Sequence, residues 1–522
     1  MFRKKSFALI ELLAVIAVTG VVQARQEQPS SNENSALGIN LNSVTYYSTE
    51  IVFVDLFKHS QTWKSQAPGK PYAQAGPLDL TEDGWVRSLA DNGQFADSII
   101  LSPINGRYIP GIYTCFYDGQ GEIKFAPGIS VLRQDPGRIE IEVKPDLKLL
   151  ALRLTKTNPK DPIRNIRLIL PGFQDTYKER PFHPDFLARW SKFKVIRFMN
   201  WQQTNGSKQV NWSDRPTPNL QTQGTDKGVA LEYMIELANT LNADPWFCMP
   251  HLATDDYIRE FAQMVKKQLK PNLNVYVEYS NECWNSIFGE ARYCKDQGKK
   301  LGLSDNDYQA QLRYYSRRAV EIFKIWEGVF GGKDRLIRVL AAQAANPWTS
   351  EQVMDFEDAY KQADALGIAP YFGYELGSPK TQSEVAKMSV DEILDACEGF
   401  VKNKKTLEII AKQAQLAGQR GLRLVAYEGG QHLVGHGGAE NNKQLEELLH
   451  AANRHPRMRQ LYLAYLSVWK GAGGTMMAMY SSMGRYSKWG SWGLMEYHGQ
   501  PIVEAPKYQA VTEFLENNPR WW

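Results

Sequence analysis

The sequence carries little net charge for its length. Its 61 Lys and Arg residues are nearly balanced by 57 Asp and Glu residues, which leaves a net charge of +4 over 522 residues. Domains that bind nucleic acids usually concentrate positive charge on one face. A nearly neutral chain of this size gives no such signal, so we expect no nucleic-acid partner.

Cysteine is also scarce, and the five cysteines do not follow the spacing of a zinc site. An odd number leaves at least one free thiol. Cys283 and Cys294 could pair in an oxidising compartment, but the sequence does not determine the distance between them. Phosphate-binding glycine loops, nucleotide-binding fingerprints and serine nucleophile elbows are missing as well. The sequence therefore predicts neither a cofactor nor a metal ion.

A signal-like apolar run occurs at the amino terminus. Residues 7–22 are mostly apolar and carry one charged residue, Glu11. They follow a cluster of basic residues, and a small-residue cleavage pattern comes after them. The run is shorter than the roughly 20 residues of a typical membrane-spanning helix. We expect residues 1–24 to direct export, so that the protein is secreted, periplasmic or on the cell surface. Residues 25–36 are polar and indicate a flexible linker.

The start of this run has a second interpretation. Phe7, followed four residues later by Glu11, resembles the beginning of type IV prepilins, although Ser6 stands where that family has Gly. In that case the segment would stay as an anchor and attach the protein to a membrane. Cleavage and anchoring both remain open at this point.

Composition and patterning indicate two domains after the linker. The chain is too long for one ordinary domain, and 43% hydrophobic with 23% charged residues is typical of globular proteins. Residues 84–158 contain short β-rich runs between Gly, Pro and Asp turns, which favours an accessory all-β sandwich-like domain. Strand and helix patterns alternate over residues 159–522, which predicts an α/β domain with a parallel sheet.

The first strand of that parallel sheet is ambiguous. Residues 37–42, LGINLN, and residues 166–172, IRLILPG, both have the character of a buried strand. The segment 37–83 therefore either contributes the first strand or is accessory. Either choice leaves the later strands in the same order.

Two of the predicted strands stop at a glutamate. Residues 275–285, VYVEYSNECWN, alternate between unlike faces, and Glu282 follows Asn281 where the chain turns away. Residues 422–430, LRLVAYEGG, are an apolar run that ends at Glu428. Side chains at the carboxyl ends of parallel barrel strands line the active site. Two facing carboxyl groups suffice to split a glycosidic bond, because one protonates the leaving oxygen while the other attacks the sugar carbon or activates water.

Asn281 and Glu282, with Glu428 about three βα units later, resemble the clan of retaining (β/α)₈-barrel glycoside hydrolases over residues 163–519. The resemblance implies a (β/α)₈ TIM barrel with the accessory β domain added to it. It implies that Glu282 on strand four is the acid/base, that Glu428 on strand seven is the nucleophile, and that Asn281 holds the sugar 2-hydroxyl. The phrase VEYSNE-x-WN also resembles uncharacterised bacterial secreted proteins, some of them labelled cellulose-binding.

Further residues take substrate-binding roles in this reading. Arg197 resembles the strand-two arginine that hydrogen-bonds the nucleophile, and Tyr371 resembles the tyrosine that orients it. His251 ends a predicted strand and is a candidate hydrogen-bond donor in the cleft. In this clan a tryptophan beyond strand eight commonly forms the floor of the first sugar-binding subsite, and both Trp489 and Trp492 fit that position.

Metal chemistry is the competing interpretation of the Glu428 region. Glu428, His432 and His436 have helical spacing, as the ligands on metal-binding helices do. Glycines interrupt this segment, and each would cost a helix about 1 kcal/mol relative to Ala. The sequence therefore favours a flexible loop here.

We expect an exported, monomeric glycoside hydrolase that acts on a β-linked polysaccharide or oligosaccharide by double displacement. A second class of function stays open, because a fold does not determine an activity. The alternative is a non-catalytic cell-surface glycan-binding protein on a barrel scaffold.

Overall fold

The computed structural model describes residues 32–102, 104 and 107–522. The predicted export segment, residues 1–24, and most of the predicted linker lie outside the described residues. Among the helices of the described part, none combines the length and the apolar character needed to cross a membrane.

The strands of the described residues are numbered in chain order. They are β1 (Leu37–Asn40), β2 (Lys64–Gln66), β3 (Asp79–Leu80), β4 (Val86–Ser88), β5 (Phe95–Leu101), β6 (Gly111–Asp118), β7 (Gly121–Phe125), β8 (Ser130–Asp135), β9 (Arg138–Val143), β10 (Leu150–Thr157), β11 (Arg164–Ile169), β12 (Val195–Arg197), β13 (Asp244–Met249), β14 (Val275–Tyr279), β15 (Leu336–Ala341), β16 (Ala365–Ile368), β17 (Arg423–Ala426) and β18 (Met477–Tyr480).

The α-helices are numbered in the same way. They are α1 (Pro184–Trp190), α2 (Leu231–Leu241), α3 (Asp255–Gln268), α4 (Gly289–Lys300), α5 (Asp307–Phe330), α6 (Pro347–Asp355), α7 (Gln382–Val385), α8 (Val390–Lys402), α9 (Lys404–Gln419), α10 (Lys443–Arg454), α11 (Arg457–Gly471) and α12 (Pro506–Asn517).

Eight parallel strands close into a barrel. Their order is β1, β12, β13, β14, β15, β16, β17, β18, and β1 pairs in parallel with both β12 and β18. The predicted (β/α)₈ barrel is confirmed. The ambiguity over the first strand is also resolved, because β1 lies in the barrel whereas β11 belongs to another sheet. Strand β14, which precedes Glu282, is therefore fourth, and β17, which precedes Glu428, is seventh.

The predicted accessory β structure is present as antiparallel sheets inserted between β1 and β12. One sheet has the order β2, β5, β10, β7 and the other β11, β6, β9, β8, while β3 and β4 form a small hairpin. Strand β9 alternates buried and partly exposed residues along its length, as expected of a strand with one face on a core. The sheets use strands on both sides of the predicted segment 84–158.

Each unit has its own hydrophobic core. Every residue of β13 and β14 is buried, because barrel strands face the barrel interior on one side and helices on the other. Glu278, on the more polar face of β14, therefore lies fully inside the barrel. Helix α3 shows how local sequence sets the outer layer: Thr254 caps its first turn and Lys266 and Lys267 lie in its last.

Candidate active site

A cavity of about 700 Å³ lies where the barrel strands end at their carboxyl termini. Its lining comes from the segments that follow β12, β14, β15, β16, β17 and β18. Five of the residues predicted from the sequence line it together: Asn281, Glu282, Tyr371, Glu428 and Trp492. Residues far apart in the chain are thus brought to one concave surface, which is where TIM barrels place their active sites.

Arg197, at the end of β12, lies beneath the cavity and is fully buried. Its Nη1 donates to Glu428 Oε1 at 3.0 Å and its Nη2 donates to Glu278 Oε2 at 2.8 Å. Nη1 also donates to Asn40 Oδ1 at 3.1 Å, and Nη2 to Asn281 Oδ1 at 2.9 Å. The guanidinium therefore holds two carboxylates and two amides in fixed positions, a task that its planar fork suits.

Glu428 is held on both oxygens. Arg197 binds Oε1, and the hydroxyl of Tyr371 donates to Oε2 at 2.9 Å. Burial raises the pKa of Glu428, while Arg197 and Tyr371 oppose that shift. The neighbouring Gly429 packs closely against β18 and α11, since a Cβ there would lie 2.6 Å from Met477 Sδ and 2.8 Å from Tyr465 Oη.

Glu282 stands on a turn with unusual backbone angles. Strand β14 ends at Tyr279, and both Ser280 (φ 57°) and Glu282 (φ 44°) adopt the left-handed region. Such angles are disfavoured for residues with a Cβ, and they cluster at functional sites. Tyr427 donates its hydroxyl to Glu282 Oε1 at 3.1 Å, and Asn285 donates its amide to Oε2 at 2.9 Å.

The electrostatic surroundings of the two carboxyl groups differ. Burial and the adjacent carboxylate of Glu428 raise the pKa of Glu282 to about 7. Glu428 has the guanidinium of Arg197 hydrogen-bonded to it, whereas the hydrogen bonds to Glu282 come from a tyrosine and an asparagine. Of the pair, Glu282 therefore keeps its proton to the higher pH and Glu428 is the one favoured as carboxylate.

The structure separates the two candidate tryptophans. Trp492 lines the cavity, with its ring centroid 5.7 Å from that of Tyr371, 5.6 Å from that of Tyr480 and 5.1 Å from that of His432. Trp489 does not line it and is 66% exposed. The backbone carbonyl of Trp489 accepts a hydrogen bond from Trp492 Nε1 at 2.7 Å, so this residue supports the cavity wall from outside.

His251 does not line the cavity either. Strand β13 ends at Met249, and the His251 ring packs edge-on against Tyr293 with the centroids 5.4 Å apart. Its backbone carbonyl accepts the hydroxyl of Tyr279 at 3.2 Å. The turn after β13 thus places the His251 ring against Tyr293 and outside the cavity lining. The predicted role of His251 as a hydrogen-bond donor in the cleft is therefore not supported.

Two groups of residues at this site are not predicted from the sequence. Tyr427 and Asn285, which bind Glu282, were not recognised, although both lie next to or near a predicted catalytic glutamate. The apolar side chains that wall the cavity beyond Glu282 were also missed, because they belong to helices distant in the chain. Those from α8 and α9 are Phe400, Ile409 and Ile410.

The metal interpretation of the Glu428 region depends on a helix that does not form. After β17 the chain runs as a loop through Glu428, His432 and His436. Elsewhere in the described part, His183, Asp185 and His498 bring their ligand atoms within 4.8 Å of one another. His183 Nδ1 already accepts the backbone N–H of Asp185 at 3.2 Å, and none of the three lines the cavity.

Replacing Arg197 by Gln should lower the free energy of unfolding by about 3–5 kcal/mol, because it leaves the carboxylate of Glu278 buried without its cation. Unfolding in urea at neutral pH measures the change. The matched control is Arg317→Gln, which removes an ion pair with Glu357 on the surface and should cost at most about 1 kcal/mol. Equal effects in the two variants would contradict the structural role of Arg197.

No family model matches the chain, and no curated protein sequence matches it. Solved structures do. The chain is 12% identical to a 4-O-α-L-rhamnosyl-β-D-glucuronidase from Fusarium oxysporum 12S, with 61% of this chain and 60% of that chain covered and a TM-score of 0.37. It is 10% identical to an endo-β-1,4-mannanase from Cellulomonas fimi, with coverage of 62% and 63% and a TM-score of 0.34.

A third similar structure is a Bacteroidetes-affiliated GH5 cellulase, which is 10% identical, with 64% of this chain and 90% of that chain covered and a TM-score of 0.35. The chain thus spans about three fifths of the first two structures. All three are glycoside hydrolases by description.

Proposed function

We propose that the protein is a retaining glycoside hydrolase that cleaves a β-linked polysaccharide or oligosaccharide by double displacement. The observation that supports this most strongly is the unlike environment of two carboxyl groups in one cavity. Glu428 is held by Arg197 and Tyr371, while the pKa of Glu282 is raised to about 7. A carboxylate nucleophile and a carboxylic acid that donates a proton need surroundings that push their pKa values apart in this way.

In the first step Glu428 attacks the anomeric carbon, and the bond from that carbon to the leaving oxygen breaks. Glu282 gives its proton to the departing oxygen, so the leaving group departs as an alcohol. Arg197 and Tyr371 keep the attacking carboxylate ionised and oriented. The products are a covalent glycosyl ester on Glu428 and an ionised Glu282.

In the second step water enters on the side from which the leaving group departed. Glu282, now a carboxylate, takes a proton from the water as its oxygen attacks the anomeric carbon. The ester bond to Glu428 breaks, and both carboxyl groups return to their starting states. Two displacements restore the original configuration at the anomeric carbon, so the product is the β-anomer.

The proposal is tested by three measurements on the purified protein. Incubation with a panel of β-glycans and aryl β-glycosides is followed by an assay for new reducing ends or released phenol. For a substrate that is cleaved, proton NMR of the first product identifies its anomer. A 2-deoxy-2-fluoro analogue of the accepted sugar should then label Glu428, which peptide mass spectrometry locates.

Each result has a definite consequence. Formation of the β-anomer and a label on Glu428 support the proposed mechanism. Formation of the α-anomer would mean that water attacks directly and that Glu428 is not a nucleophile. Binding of glycans without release of reducing ends would support the non-catalytic glycan-binding alternative instead.

In a plot of kcat/KM against pH, the fall at alkaline pH (the alkaline limb) should report loss of the proton from Glu282. Tyr427→Phe should move this limb to higher pH by about one unit. The Tyr427 hydroxyl donates to Glu282 Oε1, and this hydrogen bond lowers the pKa of Glu282. A hydrogen bond to a charged group contributes about 1.5–3 kcal/mol, and one pKa unit corresponds to about 1.4 kcal/mol. Tyr465→Phe is the control, since Tyr465 donates to the carbonyl of Pro370 and should leave the limb in place. An unchanged limb in both variants would contradict the prediction.

A further inference from the structure

The described residues that line the cavity include carboxyl groups but no cationic side chain. Among its lining residues in the described part of the chain, Glu282, Glu375 and Glu428 are acidic, and neither Lys nor Arg occurs. A sugar that carries its own carboxylate is usually held by an arginine or a lysine, because a buried anion needs a cationic partner. The lining supplies the opposite charge.

Arg197, the cation directly beneath the cavity, is already committed. All three of its guanidinium nitrogens donate hydrogen bonds, and their acceptors are Glu278, Glu428, Asn40 and Asn281. Its side chain has no exposed area, and two carboxylates offset its single positive charge. A substrate carboxylate would therefore have to compete with Glu428 for this cation.

The other polar residues around Glu428 are neutral. His432 lines the cavity, and burial lowers its pKa to about 4, so its ring is uncharged at neutral pH. Its Nδ1 has no hydrogen-bond partner among the described residues. Asn205 accepts a hydrogen bond from Asn281 at 3.0 Å, and Tyr480 adds an aromatic ring to the same wall. Amides, a neutral imidazole and phenols bind hydroxyl groups without compensating a charge.

Taking the proposed hydrolase function as its basis, we propose that the sugar bound over Glu428 is uncharged and that the cavity rejects uronic acids. The neutral donors and acceptors of Asn205, Asn281 and His432 suit sugar hydroxyls. The carboxylate of a uronic acid would face the ionised Glu428, and the described lining residues offer it no cation. Like charges held a few ångströms apart at a partly buried site predict a rate difference of at least about 100-fold.

The experiment compares aryl β-glycosides that differ only at C6 of the sugar. The probes are the 4-nitrophenyl β-D-glucoside, its glucuronide and its glucuronamide, together with the matching galacto series. The glucuronamide is close in shape to the glucuronide but has no charge, so it separates charge from size. The full chain is used, and kcat/KM is measured at neutral pH for each compound.

The expected result is turnover of the hydroxymethyl and carboxamide sugars in the accepted configuration, with the carboxylate slower by at least about 100-fold. Turnover of the uronide within tenfold of the amide would overturn the inference while leaving the hydrolase function intact. Rejection of amide and uronide alike would also overturn it, because size rather than charge would then decide. Failure of every aryl glycoside and every β-glycan would instead count against the hydrolase function itself.

Discussion

Replacing Glu428 by Gln should reduce turnover by at least about four orders of magnitude while sugar binding remains measurable. An amide does not attack the anomeric carbon, and loss of a nucleophile that acts together with its partners costs nearly the whole catalytic effect. Gln occupies almost the same volume, so the cavity keeps its shape. Release of reducing ends measures turnover, and calorimetric titration with the product sugar measures binding.

The control for this variant is Glu440→Gln. Glu440 is partly exposed in a short 3-10 helix of the segment that follows Glu428, and it does not line the cavity. Its substitution should leave turnover within about twofold of the unmodified protein. Thermal unfolding of both variants shows whether they are folded. Near-normal turnover in a folded Glu428→Gln variant would remove Glu428 from the mechanism.

A smaller variant at the same position gives independent information. Glu428→Gly opens space where the carboxylate stood, and azide ions can enter it as an external nucleophile. With an activated aryl β-glycoside, azide should restore turnover and give the α-glycosyl azide, because only one displacement occurs. If azide restores no turnover, while Glu282→Gln behaves as expected for loss of the proton donor, Glu428 has an electrostatic role.

The parts of this site that the sequence predicts are those that depend on strand order and strand ends. An apolar run that stops at a glutamate identifies a barrel strand and the residue at its carboxyl end, which is how Glu282 and Glu428 were found. Arg197 and Tyr371 come from the resemblance to the glycoside hydrolase clan, and both are hydrogen-bonded to Glu428.

The parts that the sequence leaves open depend on loop conformation and on packing between distant segments. Trp489 and Trp492 are three residues apart in one loop, and only its folded path decides which ring faces the cavity. His251 lies two residues beyond the end of its strand, where a turn directs the ring towards Tyr293. The first barrel strand was ambiguous because two apolar segments were equally suitable, and pairing of β1 with β12 and β18 decides between them.

The pH dependence of catalysis should report the proton on Glu282. Its pKa is raised from 4.5 to about 7 by burial and by the carboxylate of Glu428. As general acid it must be protonated in the free enzyme, so kcat/KM should fall as the pH rises through about 7. The sign follows from the raised pKa: protonated Glu282 persists from acidic pH up to about 7, and above that value the proton donor is lost.

Replacing Glu282 by Gln should remove this alkaline limb and divide substrates by their leaving groups. Oligosaccharides, whose leaving alcohols need a proton, should lose about 10²–10⁴-fold in rate. Dinitrophenyl glycosides release dinitrophenolate, a stable anion that needs no proton, so their first step should slow far less. The glycosyl ester on Glu428 should then accumulate, which appears as an initial burst of dinitrophenolate. The two substrates control for each other within one variant, since a folding defect would slow both equally. A limb near pH 7 that survives in Glu282→Gln would assign the titration to another group. Equal losses on both substrates, in a variant whose thermal unfolding is unchanged, would show that Glu282 is not the proton donor.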